Sequence, residues 1–315
     1  MGSKPVLKIG HLKITDHLVL GVTKDKVDRG IEKFQYSDLE TVPLVGWNQV
    51  GSALAAGEID GAFILAPYAM NLFSSRLDIR LVLLGHRTGS VIITNKRANI
   101  HKVEDFKGKT IILPLYLSVH TILFHKLLTQ KGLTFGLGKD VMFEVDAPVN
   151  MPEIIEWDEG GTIGGFIVAE PFGSKAVLGG YGDEFCQSQQ IWPDHPCCVL
   201  VFRNEVITRN PDAVFELTQS LVKSGTFVAQ HPEAALSIAM NFLGQPEPIV
   251  RRVLLEPAGR VTTGRLFPVL EDLDEIQVYM DQHINIDTGS GHAMSQKIDL
   301  EKFVDQRFAK AAGAK

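Results

Sequence analysis

The sequence predicts an α/β protein of two lobes with a helical C-terminal portion, on three observations. Short apolar runs alternate with helix-period segments from Val6 to Phe202, the grammar of β-α-β units and a predominantly parallel sheet. That alternation pauses after Gly85, restarts at Val91, and gives way to consecutive helices beyond Phe202. At 315 residues the chain has room for about two domains of roughly 150 residues each.

Taken in order, Val6 to Leu12 is a strand that ends in the polar cluster Thr15-Asp16-His17. Thr41 to Val45 is a second strand, followed by Gly46-Trp47-Asn48 and a helix carrying Val50, Leu54 and Ala55 on one stripe. Gly61 to Leu65 is a buried strand. Pro67 then opens a helix, a position where its missing N–H has no intrahelical role. Arg80 to Leu84 completes the first unit. In the second unit Val91 to Thr94 is a strand, Lys102 to Lys109 a charged turn, and Thr110 to Leu113 a strand. Ser118 caps a helix burying Ile122, Leu123, Leu127 and Leu128, which ends before Gly132. Met142 to Val145, a helix near Pro152 to Glu159, and Gly165 to Val168 repeat the pattern, and Glu170-Pro171-Phe172 opens another helix. Gly179 to Pro196 turns polar, aromatic and Gly/Pro-rich and reads as an ordered connection, and Cys197 to Phe202 as an apolar strand. Helices then start at Asn210-Pro211-Asp212 and His231-Pro232-Glu233, where a cap, a proline and an acidic residue coincide. The helical tail is expected to pack back on the first lobe, so the chain crosses between lobes near 86–91 and again near 190–204.

Composition narrows the function. Apolar residues make up 45% and charged residues 22%, which fits a folded globular chain and excludes a mostly disordered one. The net charge of −6 gives no basic face for a phosphate backbone, so no nucleic acid is expected as a partner. No stretch reaches the 18 or more apolar residues that signal a membrane helix. Cys186, Cys197 and Cys198 lack paired CxxC spacing; the last two read as small core-filling side chains on a buried strand. Phosphate-loop, nucleophile-elbow and dinucleotide motifs are absent, and scattered histidines without HExxH spacing give no metal site, so neither a cofactor nor a metal is expected.

In open α/β sheets ligands sit beyond the carboxyl ends of strands, where helix N-termini also point. The first strand delivers His11, Thr15, Asp16 and His17, and the second Trp47. The third delivers Ala66, Pro67 and Tyr68; the fourth delivers His86, Thr88, Gly89 and Ser90. Later strands deliver Tyr116, Ser118 and His120, then Glu170 and Phe172, then His195. A cation is disfavoured in a helix's first turn, so His120 is expected as a neutral imidazole. Trp47 offers an apolar wall, and Ser90 and Ser118 offer directional hydroxyls, a set suited to a small polar solute.

These residues carry a family likeness. The run Lys8-Ile9-Gly10-His11-Leu12-Lys13-Ile14-Thr15-Asp16-His17 resembles the opening of the nitrate/sulfonate/bicarbonate-type, NMT1-like solute-binding proteins of ABC transporters. Trp47 through Ala66-Pro67 is similar to their Trp-containing helix, Gly-Glu-Ile-Asp turn and Ala-Pro strand exit. Gly89-Ser90-Val91-Ile92, Pro114 to His120, Gly165 to Gly173, and Ile191 to Pro196 follow in the family's order. The resemblance implies a type II periplasmic-binding fold. Residues 1–88 and 196–315 would form a discontinuous first lobe with the C-terminal helices, and 89–195 the second lobe. It also implies capture of a small polar or anionic solute between the lobes and its delivery to a permease with a cytoplasmic ATPase; a monomer is expected because a single clamshell completes its own cleft. The expected location is periplasmic or anchored at the cell surface. Met1-Gly2-Ser3 resembles an expression scar, which puts the implied export signal outside this sequence.

Strand ends and resemblance together nominate His11, Asp16, His17, Trp47, Ala66, Pro67, Gly89, Ser90, Ser118, His120, Glu170 and Phe172 as ligand contacts. Among them Trp47, Ser90, His120 and Glu170 take the family's wall, loop-donor, histidine and polar-contact roles. Ser90 stands where many nitrate readers carry glutamine, and no basic counterpart to Glu170 stands out in the sequence. Two other classes compete: an enzyme of the thiamine-pyrimidine or menaquinone type on the same fold, and a soluble sensory domain.

Overall fold

A computed structural model of the chain describes residues 4–257, 259–284 and 297–315; Met1-Gly2-Ser3 lies outside them. The first apolar segments build one five-stranded sheet. Its members are β1 (Val6–His11), β2 (Asp38–Pro43), β3 (Gly61–Leu65) and β4 (Ile79–Leu84). Helices α1 (Leu18–Asp28), α2 (Trp47–Ala56) and α3 (Ala66–Ser74) connect them. The bridging pair β5 (Arg87–Thr88) leads into the second sheet, built from β6 (Ser90–Asn95), β7 (Thr110–Leu113), β8 (Met142–Val145) and β9 (Ile163–Ala169). Its helices are α4 (Val119–Thr129), α5 (Met151–Trp157) and α6 (Phe172–Leu178). Ser118 caps α4 as expected, its hydroxyl accepting from the Thr121 N–H.

The ordered connection from Gly179 to Pro196 contains two elements the sequence did not announce, β10 (Gly182–Gln187) and α7 (Ser188–Ile191). The β10 edge strand pairs antiparallel with β6 and is mostly half-exposed, so it lacks the apolar run by which buried strands are read. Each sheet runs predominantly parallel, as expected, with one reversed strand. The order β2-β1-β3-β11-β4 places β11 (Cys198–Arg203), the strand returning from the second unit, antiparallel between β3 and β4. The order β10-β6-β9-β7-β8 likewise carries β6, the strand that first crosses over, antiparallel to β9. Both crossing strands run against their neighbours because each enters its sheet from the seam instead of through a helix.

After β11 come α8 (Asn204–Arg209), α9 (Pro211–Gln230), α10 (Leu236–Leu243) and α11 (Glu247–Leu255). They are followed by β12 (Val261–Thr262) and α12 (Leu270–Tyr279). Helices α9 and α10 pack on α1, with Leu217 and Leu221 joining Leu20, Phe63 and Leu200 in one apolar cluster of the first lobe. The tail does not stay on that lobe: α12 also lies against α4, and beyond it the Tyr116 hydroxyl donates to the Ile284 carbonyl at 2.8 Å. A larger cluster runs without a break from Trp47, Leu54 and Ile64 to Phe124, Ala169 and Phe172, so the two sheets meet across a closed apolar seam. Among the described residues, no helix is long and apolar enough to cross a membrane.

One glycine is required by close approach. Gly165 sits on β9 at φ +148°, and a Cβ there would stand 1.9 Å from the Ile93 carbonyl oxygen of β6. Gly165→Ala must push the two strands apart at the centre of the second sheet. It is expected to lower stability by about 2–3 kcal/mol, read as a lowered midpoint in thermal unfolding.

Candidate functional site

The seam between the sheets is crossed twice by the chain and fixed by backbone bonds. The Thr15 N–H donates to the Glu170 carbonyl at 2.8 Å, the Glu170 N–H to the Gly89 carbonyl at 3.3 Å, and the Thr88 N–H to the His195 carbonyl at 3.0 Å. Thr88 (φ 55°) and Asp194 (φ 57°) adopt left-handed backbone at the two crossings, unusual for residues other than glycine. Gly89 has φ 101°, and a Cβ on it would meet Asp16 Oδ1 at 3.2 Å, so a side chain here would press on the polar groups below.

Those polar groups are buried and short of partners. From the first lobe, Thr15 Oγ1, Asp16 Oδ1, His17 Nε2, Trp47 Nε1 and His86 Nδ1 have no hydrogen-bond partner among the described residues. From the second lobe and the return crossing, His120 Nδ1 and His195 Nε2 are in the same condition. In folded proteins about nine in ten buried polar groups are paired, so a concentration of unpaired ones along one seam makes this the candidate site. The donors among them are partly assigned. Trp47 offers only an N–H. His17 Nδ1 sits against the Leu12 backbone, 3.0 Å from its N–H and 3.1 Å from its carbonyl, and the ring packs edge-on to Trp47 at 5.8 Å.

The imidazoles are held neutral. Burial pushes His120 down to about 3, helped by His195 and His86 nearby, and Ser90 Oγ meets its Nε2 at 2.9 Å. Burial likewise pushes His195 down to about 3, while its Nδ1 faces the Pro196 carbonyl at 3.2 Å. His86 goes the other way. Burial alone would lower it, but the Asp16 carboxylate, 2.9 Å from its Nε2, holds it at about 10, so the pair retains one proton. Beside this pair stand Cys197 and Cys198, whose sulfurs, with one ligating atom each of Asp16 and His86, all lie within 4.8 Å of one another. A hydrogen bond from Cys198 brings Cys197 to about 7 against its burial.

The structure therefore brings Asp16, His17, Trp47, Gly89, Ser90 and His120 together at the seam, with the start of α3 (Ala66, Pro67) buried behind them. Four nominated residues are placed otherwise. His11 stacks on Phe242 of α10 at 4.8 Å, and its Nδ1 faces the Leu12 carbonyl at 3.0 Å. The Ser118 hydroxyl is engaged in capping. Glu170 lies in the seam, but both its oxygens are taken: Oε2 accepts from the Ser174 N–H, and Oε1 from the Ser174 hydroxyl and from Arg260 at 3.1 Å. Phe172 lines a side cavity of about 360 Å³ with Ile14, Leu44, Pro148 and Leu243. A second cavity of about 300 Å³ opens on the Trp47 side, between Gly46 and Asn48 of one lobe and Pro114 and Asp146 of the other.

Sequence reading missed Arg260 altogether, and with it the counter-charge of Glu170. Arg260 is buried and also pairs with Glu184 at 2.9 Å, while Arg252 of α11 pairs with Glu184 at 2.8 Å, so two arginines of the tail clasp two glutamates of the second sheet. His86 and His195 stood at strand exits in the sequence, but nothing there signalled that Cys197 and Cys198 join them.

Comparison with known proteins gives this seam a context. The NMT1-like family model matches residues 2–242. Among curated relatives, the nitrate import ATP-binding protein NrtC of Synechocystis is 28% identical over 69% of this chain and 34% of its own length. The chain thus spans about a third of that relative. Among solved structures, a ligand-binding component of an ABC-type import system from Staphylococcus aureus, with zinc bound, superposes at a TM-score of 0.85. It is 26% identical, with 98% of this chain and 99% of that one covered. The periplasmic nitrate-binding protein NrtA from Synechocystis superposes at 0.78 with 18% identity, covering 98% and 88%. The fold is the type II periplasmic-binding fold, and none of these relatives is named as an enzyme of small-molecule metabolism. With its model matched from residue 2 to residue 242 and its two mixed sheets in this arrangement, the chain belongs to the NMT1-like family.

Proposed function

We propose that the chain is the solute-binding component of an ABC import system. It would enclose a small polar solute between its lobes and hand it to a permease driven by a cytoplasmic ATPase, acting outside the cytoplasmic membrane. The observation that carries this reading is the row of unpaired buried atoms along the seam, contributed by loops and helix starts of both lobes. A solute seated there supplies the missing partners, and closure removes it from water, which strengthens each correctly paired contact. The two charge pairs, Asp16–His86 and Glu170–Arg260, are internally compensated and the remaining imidazoles are neutral, which suits a seam that holds a polar solute by hydrogen bonds. The names of the relatives favour small oxyanions, and the staphylococcal one adds a cation.

Thermal unfolding in the presence of nitrate, bicarbonate, short sulfonates, amino acids and divalent cations tests the reading. A true solute at a hundred times its dissociation constant stabilises the closed form by about 2.7 kcal/mol, several degrees of midpoint. Trp47→Ala should abolish that shift while leaving the far-ultraviolet spectrum unchanged. A shift that survives Trp47→Ala at full size contradicts the assignment of the seam.

A further inference from the structure

We propose that the floor of the seam is a transition-metal site, in which Asp16, His86, Cys197 and Cys198 seat a borderline-soft divalent ion of the zinc type. Three strand ends meet to build it. Asp16 follows β1, His86 follows β4, Cys197 precedes β11 and Cys198 opens it, the strand that pairs with β4. The frame is fixed by the backbone: the Ala66 N–H donates to the Cys197 carbonyl at 2.9 Å and the Gly85 N–H to the Cys198 carbonyl at 2.8 Å. All four side chains are buried, and their donor atoms lie within 4.8 Å of one another. Two of the residues keep an atom without a hydrogen bond, Asp16 Oδ1 and His86 Nδ1.

The donor chemistry selects the ion. Two sulfurs, one imidazole and one carboxylate form the mixed S/N/O set that tetrahedral zinc takes, at bond lengths of about 2.0–2.3 Å, and they disfavour calcium and magnesium, which demand oxygen. Tetrahedral donors stand about 3.3–3.8 Å apart, so the widest pair must close by about 1 Å as the ion enters. Zinc takes cysteine as thiolate and histidine as neutral imidazole, so entry of the ion would release whatever protons these ligands carry. The inference goes beyond the import reading and does not rest on it, because an ion at this place is detectable whether or not the chain serves a permease.

Cobalt(II) serves as the probe, added to the reduced, chelator-stripped full chain both when folded and during refolding, so that a closed seam cannot mask the site. The expected result is one ion per chain, with visible tetrahedral ligand-field bands and a near-ultraviolet thiolate-to-cobalt charge-transfer band, both lost when zinc displaces it. Cys186→Ala should leave the spectrum unchanged. His86→Gln and the double variant Cys197→Ala/Cys198→Ala should weaken binding by about 100-fold or more, beyond what loss of an outer-shell partner costs. Absence of a one-to-one complex overturns the proposal. So does a complex without the thiolate band, which the unmodified chain decides even if a buried variant fails to fold.

Discussion

Replacing Arg260 by methionine is expected to lower the stability of the closed chain by roughly 3–5 kcal/mol, the cost of leaving a buried carboxylate without its partner. Arg260 is 2% exposed and Glu170 is fully buried; burial pushes the Glu170 carboxyl up, and Arg260 and Ser174 pull it back. The guanidinium reaches Glu170, Glu184 and the Glu256 carbonyl at once, so one residue of the tail ties the second sheet to the first-lobe helices. Methionine keeps the bulk and removes all three bonds. The thermal midpoint should fall by roughly 5–10 °C, and small-angle scattering should report a larger radius as the lobes part. Adding Glu170→Gln removes the orphaned charge and should restore part of the loss. If Arg260→Met melts like the parent, the clasp contributes nothing and closure rests on the apolar seam alone.

Acidification is the second large effect. His11 at about 4, and His120 and His195 at about 3, are all held below the ordinary histidine value of 6.5, chiefly by burial, and burial also holds His17 low. Below pH 6.5 the unfolded chain binds protons that these rings refuse while buried. Each therefore withdraws about 1.4 kcal/mol of stability per pH unit until its folded value is reached. Asp16 and Glu170, raised by burial, take up protons in the opposite sense and offset part of this. Four histidines against two carboxylates leave a net fall of about 1.4–3 kcal/mol per unit between pH 6.5 and 4. His86 gives the alkaline limb. Its value is raised, so its contribution is complete below 6.5 and disappears as pH climbs through about 10. The thermal midpoint should peak near neutrality and drop steeply by pH 5, and His120→Gln/His195→Gln should flatten the acid side. A midpoint that stays level from pH 7 to 5 would contradict the neutral, buried imidazoles.

How much of this was legible in the sequence follows from range. Ser118 as a cap, Thr110 to Leu113 as a strand and Pro67 in a helix's first turn are local events, written by residues within a few positions of each other. The edge strand β10 escaped because its half-exposed residues show neither an apolar run nor clean alternation. The reversed strand of each sheet escaped because a crossing strand carries the same apolar composition as a parallel one. In the site, Trp47, Ser90 and His120 were readable as strand and helix ends. Arg260 was not, since it meets Glu170 across ninety positions and sits in a loop with no motif of its own. The cysteines were read as core, and they are buried; what composition does not express is that Asp16 and His86 arrive beside them from two other strands.

The most direct test is native mass spectrometry of the chain purified gently from cells, followed by extraction of whatever it holds. The expected spectrum shows a small species bound one to one and released intact on activation, and missing from the Trp47→Ala and His120→Ala variants. A bare chain under every condition, or a passenger that both variants retain undiminished, would show that the unpaired groups between the sheets are not a seat for a solute.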